Sequence, residues 1–188
     1  VKSEGVTRGV VSNIDRTVRA IKESIEMAEQ AAQCKFVKVH VGIAGQHIKS
    51  IHHHGLLVRH DHNSEISEDD VNKLIKDMYK LVLPPGDKIL HVIPQEYTVD
   101  NEQDIVDPIG MSGIRLEANF HIVIGQISSA RNIEKCIKRV GLDVKQLILE
   151  PLASSAAVLT EDEMEAGVAL VDIGGGTTDV AVYYDDVI

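Results

Sequence analysis

Near the end of the chain, a glycine-rich turn follows a short apolar segment and carries residue types that bind phosphate. The residues with this chemistry are Asp172, Gly174, Gly175, Gly176, Thr177, Thr178 and Asp179. Glycine adopts positive φ without a steric penalty, and backbone N–H groups directed into one concavity attract phosphate oxygens. The threonine hydroxyls add donors, and the carboxylates are suited to hold a metal ion or its water shell. The pattern predicts a strand–turn–strand hairpin for the β- and γ-phosphates of a nucleotide.

A simpler interpretation is a tight hairpin that uses glycine only to turn. Two glycines are enough for that purpose, whereas this turn has three, preceded by an acid in an apolar strand. About twenty residues earlier, Glu150 stands before Pro151 at the end of a short apolar run. A carboxylate there is a candidate catalytic group that polarises a water for attack on phosphorus, and the alternative is a surface glutamate at a strand end.

Composition limits the possible functions. The chain has 188 residues, 44% of them apolar and 3% aromatic, so an aliphatic core is expected. Its net charge of −10 argues against nucleic acid as a partner, because backbone phosphates are bound by clustered Lys and Arg. Cys34 and Cys136 are predicted to be reduced, buried thiols. No apolar run is long enough to cross a bilayer, and the start at Val1 suggests a piece of a longer protein.

The two ends of the chain have α/β patterning. Asn13 is predicted to cap an amphipathic helix that runs to Ala32, and residues 36–44 alternate as a strand. From residue 126 the α/β patterning returns. Ser129 is predicted to cap a helix that ends at Gly141, a short strand covers 147–149, and a small-residue helix covers 152–159. We expect residues 1–45 and 126–170 to form one layered α/β unit, followed by the hairpin at 171–188.

Residues 46–125 are predicted to form an inserted α+β module of strand, helix, strand and strand. The segment 47–58 is interpreted as two strands, or as one hairpin around His54 and Gly55. Ser67 and Asp70 resemble a capping box that starts a helix, and residues 88–99 are a strand at an edge or bulged at Pro94. Residues 114–124 alternate strictly, which is typical of a strand with one buried face.

Two further groups in the insert are candidate sites. The histidines at 52–54, 60 and 62 suggest a metal site, but consecutive strand residues point to opposite faces, so a polar hairpin tip is the favoured interpretation. In the loop at 107–117, Met111 is a partly exposed apolar group beside the charges of Arg115 and Glu117. That mixture favours a protein–protein contact, with a well-packed loop as the equal alternative.

The chain resembles the actin-like ATPase superfamily, and more narrowly its FtsA family of bacterial cell-division proteins. The hairpin VDIGGGTTD is similar to the second phosphate motif of the superfamily. The narrower resemblance rests on GVVSNI at 9–14, VGIAGQHI at 41–48, HVIPQEY at 91–97, PIGMSGIRLE at 108–117 and LASSAAVLTEDE at 152–163. It implies a partial actin-like (ribonuclease H-like) subdomain 1A in two pieces, 1–45 and 126–170, a 1C-like insert at 46–125, and the start of subdomain 2A at 171–188.

The resemblance also implies ATP and Mg²⁺ as ligands of the intact protein. Asp172 would hold Mg²⁺ through water, the glycines and Thr177 would contact the γ-phosphate, and Glu150 would lie beside the attacking water. The intact protein is then a weak ATPase at most, and the 188-residue chain is expected to be inactive. A MreB-like protein, a DnaK-type chaperone or a sugar kinase is the alternative within the superfamily.

The resemblance also implies the partners of the intact protein. FtsA-like proteins polymerise, tether FtsZ filaments to the membrane through a C-terminal helix that this sequence does not contain, and recruit later division proteins through 1C. The resemblance therefore implies a cytoplasmic protein on the inner face of the membrane at the division site. Met111, Arg115 and Glu117 are the predicted contact residues of the insert.

Overall fold

A computed structural model describes residues 1–59 and 64–188 of the chain. His60 and His62, considered above as metal ligands, lie outside the described residues. In chain order the first elements are β1 (Val6–Thr7), β2 (Val10–Val11), α1 (Ile14–Ala32), β3 (Lys38–Ile43), β4 (Ile48–Val58), α2 (Glu68–Met78), β5 (Asp87–Val99), β6 (Glu102–Ile105) and β7 (Arg115–Gln126). They are followed by α3 (Ile127–Arg139), β8 (Asp143–Leu149), α4 (Glu150–Val158), α5 (Glu161–Ala166), β9 (Val168–Ile173) and β10 (Thr178–Tyr183).

The first helix has the predicted bounds. Asn13 caps α1 by accepting a hydrogen bond from the backbone N–H of Arg16 at 2.9 Å, which satisfies one of the free donors of the first turn. The helix ends at Gln33, which adopts the left-handed conformation with φ 52°. Cys34 follows on the surface, so the prediction that both cysteines are buried is wrong for Cys34 and confirmed for Cys136. Cys34 is exposed because it lies just beyond the helix end, outside the periodic apolar stripe.

A parallel pair of strands forms the centre of the flanking α/β part. β3 pairs with β8 from Lys38 and Asp143 to Ile43 and Leu149, and α3 packs beside β8 and α1. A small core of Ile43, Ala130 and Leu147 is buried there. Ser129 was predicted to cap α3 but lies buried in its first turn, because the helix continues directly from β7 and begins two residues earlier. The predicted C-terminal glycine is confirmed, since Gly141 has φ +85°.

The insert is a four-stranded sheet in the order β4-β7-β5-β6. β4 pairs with β7 in one unbroken antiparallel register, so the predicted hairpin around His54 and Gly55 is wrong. Gly55 serves close packing instead of a turn. An ideal Cβ on it would lie 2.8 Å from Phe120 Cε2 and 3.0 Å from Met78 Cε, so only glycine leaves room for the helix above the strand.

One face of this sheet is covered by α2 and forms the main core of the described chain. Its fully buried members include Leu74 from the helix and, from the alternating strand β7, Leu116, Ala118, Phe120 and Ile122. The capping box is confirmed, since Ser67 and Asp70 exchange side-chain and backbone hydrogen bonds. β5 lies inside the sheet with register shifts after Ile89 and Pro94, which confirms a bulge at Pro94.

A buried arginine joins three parts of the insert. Arg59 is 7% exposed and donates hydrogen bonds to the Gly113 carbonyl at 2.7 Å and to the Asp70 carboxylate at 3.2 Å. Buried guanidinium groups are stable only when their donors are paired, and these contacts meet that condition. Arg59 therefore connects β4, the start of α2 and the loop before β7.

Candidate phosphate-binding site

The glycine turn closes an antiparallel hairpin. β9 and β10 pair from Val168 and Tyr183 to Ile173 and Thr178, and the Gly174 N–H donates to the Thr177 carbonyl at 3.0 Å. Gly174, Gly175 and Gly176 are exposed, and none of the three lies in the left-handed region that the sequence led us to expect. Among the described residues, no atom lies within 4 Å of an ideal Cβ on Gly175. The glycines therefore leave the backbone of this turn uncovered.

The two strands direct their acids to the face that carries α4. Asp172 and Asp179 are opposite each other in the register, and both are half-buried. The Ser154 hydroxyl of α4 donates to Asp172 Oδ2 at 2.7 Å, while the Ser155 hydroxyl lies 2.7 Å from the Tyr183 hydroxyl. The sequence predicted only a small-residue helix over 152–159. In the structure, Ser154 also fixes the orientation of the acid before the turn.

Glu150 begins α4 and faces the same space. Burial raises the pKa of its carboxyl above the ordinary 4.5, and the negative charges of Asp179 and Asp172 raise it further. Pro151 occupies the first turn, where its missing N–H has no cost. An ideal Cβ on Gly42 of β3 would lie 3.0 Å from Glu150 Oε1, so a glycine there leaves room for the carboxylate. Three predicted acids thus converge beside the turn.

A second turn borders the same space. The β1–β2 hairpin bends at Arg8 and Gly9, which both have positive φ, and an ideal Cβ on Gly9 would lie 2.2 Å from the Ala44 carbonyl oxygen. An ideal Cβ on Gly176 would lie 3.8 Å from the Arg8 backbone nitrogen. No local pattern indicated Arg8, because its contact with Gly176 depends on elements that are far apart in sequence.

The described residues contain no group of three His, Cys, Asp or Glu side chains arranged to hold a metal ion directly. The three acids therefore interact electrostatically without forming a direct coordination site. In the insert, His52 contacts the His121 ring edge to face, with centroids 5.3 Å apart, and His54 Nε2 lies 2.8 Å from Glu117 Oε2. The consecutive histidines lie within β4, which is a strand and not the predicted hairpin tip.

The predicted partner residues of the insert are engaged within the chain. Arg115 forms an ion pair with Glu117, with Arg115 Nε donating to Glu117 Oε1 at 2.9 Å. The Glu117 side chain is only 12% exposed, and Met111 is partly buried against the core of the insert. The hydrogen bonds from Arg115 and His54 lower the pKa of Glu117, so this carboxylate is held in its charged form. These residues form a structured surface beside the loop at 107–113.

Comparison with known proteins decides the family. Residues 45–124 match the family described as the SHS2 domain inserted in FTSA. Over 186 residues, the chain is 44% identical to the cell division protein FtsA of Pseudomonas aeruginosa, which covers 99% of this chain. These matches support the identification of the chain as an FtsA fragment. It spans 44% of the length of that relative.

Other FtsA proteins show the same relationship. Cell division protein FtsA of Neisseria meningitidis is 44% identical over 186 residues, covering 99% of this chain and 44% of the relative. For FtsA of Escherichia coli K12 the identity is 39% over 181 residues, covering 96% of this chain and 43% of the relative. The MreB-like, chaperone and sugar-kinase alternatives are not favoured by these matches.

A solved structure supports the fold. The chain is similar to the PilM–PilN type IV pilus biogenesis complex with a TM-score of 0.60, over 100% of this chain and 50% of that one, at 11% identity. The prediction of an actin-like α/β fold with an inserted α+β module is confirmed. None of the helices in the described ranges is long and apolar enough to span a bilayer.

Proposed function

We propose that the glycine hairpin binds the β- and γ-phosphates of ATP in the intact FtsA-type protein. The observation that carries this proposal is the convergence of Asp172, Asp179 and Glu150 beside an uncovered glycine backbone, with Ser154 holding Asp172 in place. Exposed backbone amides suit the phosphate oxygens. The acids suit a magnesium ion, which keeps most of its waters and uses few carboxylates.

Each residue of the site has a distinct role in this proposal. Asp172 would hold Mg²⁺ through water, and the ion would neutralise phosphate charge. The phosphates would be contacted by Gly174, Gly175, Gly176, Thr177 and Thr178. Glu150 would act as the catalytic carboxylate toward a bound water, and its raised pKa supports this role. The intact protein is at most a weak ATPase, since its function is nucleotide-controlled assembly.

At the level of the cell, we infer the role that the family name indicates. The intact protein would polymerise, tether FtsZ filaments to the membrane through a separate helix, and act on the cytoplasmic face of the division site. We assign residues 1–45 and 126–170 to subdomain 1A, 46–125 to the 1C-like insert and 171–188 to the start of subdomain 2A. Later division proteins would contact the insert near Met111, Arg115 and Glu117.

The experiment is a magnesium-dependent ATP titration of the full-length protein that contains this sequence. Asp172→Asn keeps the shape of the side chain and its contact with Ser154 but removes the charge, so we expect at least a tenfold weaker affinity for Mg-ATP, about 1.4 kcal/mol. The matched control is Asp162→Asn, an exposed acid of α5, which should leave the affinity unchanged. Equal affinities of the wild type and Asp172→Asn would exclude Asp172 from the site.

A further inference from the structure

Strand β4 lies at the edge of the insert's sheet and has few of the features that usually protect an edge. It pairs with β7 from Ile48 to Val58 without a register shift, and its other side faces away from the sheet. Soluble proteins commonly protect such edges with bulges, proline, charges or short strands. β4 is eleven residues long and contains neither proline nor acid, with Lys49 as its one permanently charged residue.

The hydrogen-bond pattern shows which backbone groups face outward. Arg59 N–H donates to the Ile114 carbonyl at 2.8 Å, next to the pair formed by Val58 and Arg115. Opposed pairs in antiparallel strands alternate between bonded and non-bonded. The odd-numbered residues of β4 therefore bond to β7, and backbone N–H and C=O groups point away from β7 at Ser50, His52, His54, Leu56 and Val58.

We propose that β4 pairs with β4 of a second copy of the chain, in antiparallel register about a two-fold axis at His53. The sequence of the strand is self-complementary in this register. Ile48 would face the partner's Val58, and Ile51 would face the partner's Gly55, where the absent side chain leaves room. Lys49 would face the partner's Leu57, so no permanent like charges oppose each other.

Symmetry favours a second copy over an unrelated peptide. A two-fold contact uses one surface twice, and a strand that is complementary to itself meets this requirement without any other partner. The two sheets would join into one continuous eight-stranded sheet with both α2 helices on the same face. Leu56 and Val58, each 53% exposed, would be partly covered at the new seam. The inference rests on the self-association in the proposed function and identifies one contact for it.

The test is a charge swap at the axis, measured by sedimentation velocity of the 188-residue chain. We expect the wild type to form dimers at about 100 μM. His53 is exposed and would lie opposite its own copy, so His53→Lys and His53→Glu should each raise the dimer Kd at least about fivefold by like-charge repulsion. An equimolar mixture of the two variants should restore association, because opposite charges then meet.

The matched controls are Val82→Lys and Val82→Glu, at a 99% exposed position outside β4, and they should leave the dimer Kd unchanged. A monomeric wild type, dimers that persist in both His53 variants, or a mixture that stays monomeric would each overturn the proposal. Restored association also shows that the variants are folded. A negative result in this experiment can be told apart from a negative result for the phosphate site. The sedimentation measurement contains no nucleotide, and the ATP titration of Asp172→Asn does not depend on β4.

Discussion

The insert and the glycine hairpin bury apolar surface to very different extents. In the insert, α2 covers one face of the sheet, and Leu74, Leu116, Phe120 and Ile122 are fully buried. In the hairpin, one face packs on α4, while the other exposes Val171, Ile173, Val180 and Val182. An apolar sheet face is stable when a further layer covers it. The insert therefore has its own core, whereas the hairpin is a surface element whose outer face suits a further packing layer.

The largest expected effect is the loss of unfolding free energy when an apolar side chain is truncated to alanine, compared between the two regions. Phe120→Ala deletes a fully buried side chain of the insert and should cost about 4 kcal/mol in the free energy of unfolding. Val182→Ala removes methyl groups that are largely in solvent and should cost less than about 0.5 kcal/mol. Urea unfolding followed by circular dichroism measures both. Similar losses of unfolding free energy in the two variants would contradict the difference in burial between the insert and the hairpin.

Two capping boxes allow a finer comparison, because one begins α2 in the insert and the other begins α5, the helix just before the hairpin. Ser67 caps α2, which buries Leu74 and Met78, and Thr160 caps α5, which buries none of its residues. Each serine or threonine cap is worth about 1 kcal/mol to its helix. Ser67→Ala should lower the global free energy of unfolding by that amount, since α2 is part of the core.

By contrast, Thr160→Ala should increase fraying of α5 and leave global unfolding unchanged, because no core contact is lost with it. Hydrogen exchange of the amides of α2 and α5, combined with urea unfolding, separates the two cases. Ser67→Thr and Thr160→Ser retain the hydroxyl and are the matched controls. Equal global destabilisation by both alanine variants would show that α5 is coupled to the core.

Local sequence patterns were sufficient for most elements. The bounds of α1, the strict alternation of β7 and the capping box of Ser67 and Asp70 follow from residue spacing and from short-range hydrogen bonds. The wrong predictions concern positions whose conformation depends on residues that are distant in sequence. Gly55 was interpreted as a turn because its packing against Phe120 and Met78 depends on tertiary contacts.

The same limit applies to the candidate site. Asp172 and the glycines were visible as a motif, whereas the hydrogen bond from Ser154 required the position of α4 relative to β9. The nearness of Arg8 to Gly176 likewise depends on two hairpins that are far apart in sequence. A motif indicates which residues are suited to bind phosphate or a metal ion. The contacts that hold those residues in position depend on the fold.

The smallest expected effect concerns the acids beside the hairpin. Burial and two negative neighbours raise the pKa of Glu150 in the folded state, so the folded chain binds this proton more tightly than the unfolded chain. The contribution of Glu150 to stability is therefore lost as the pH rises from 4.5 through its folded pKa. Glu150→Gln removes this titration, so its free energy of unfolding should increase relative to the wild type over that interval.

We expect a difference below about 1 kcal/mol, because Glu150 is only half-buried and solvent screens its neighbours. Urea unfolding of both chains at a series of pH values, with Glu23→Gln of the exposed face of α1 as the control, measures it. A difference that is constant across the series, or that has the opposite sign, would show that the three acids do not repel one another. The hairpin would then lack the electrostatic coupling that distinguishes it from the neutral, fully packed face of the insert.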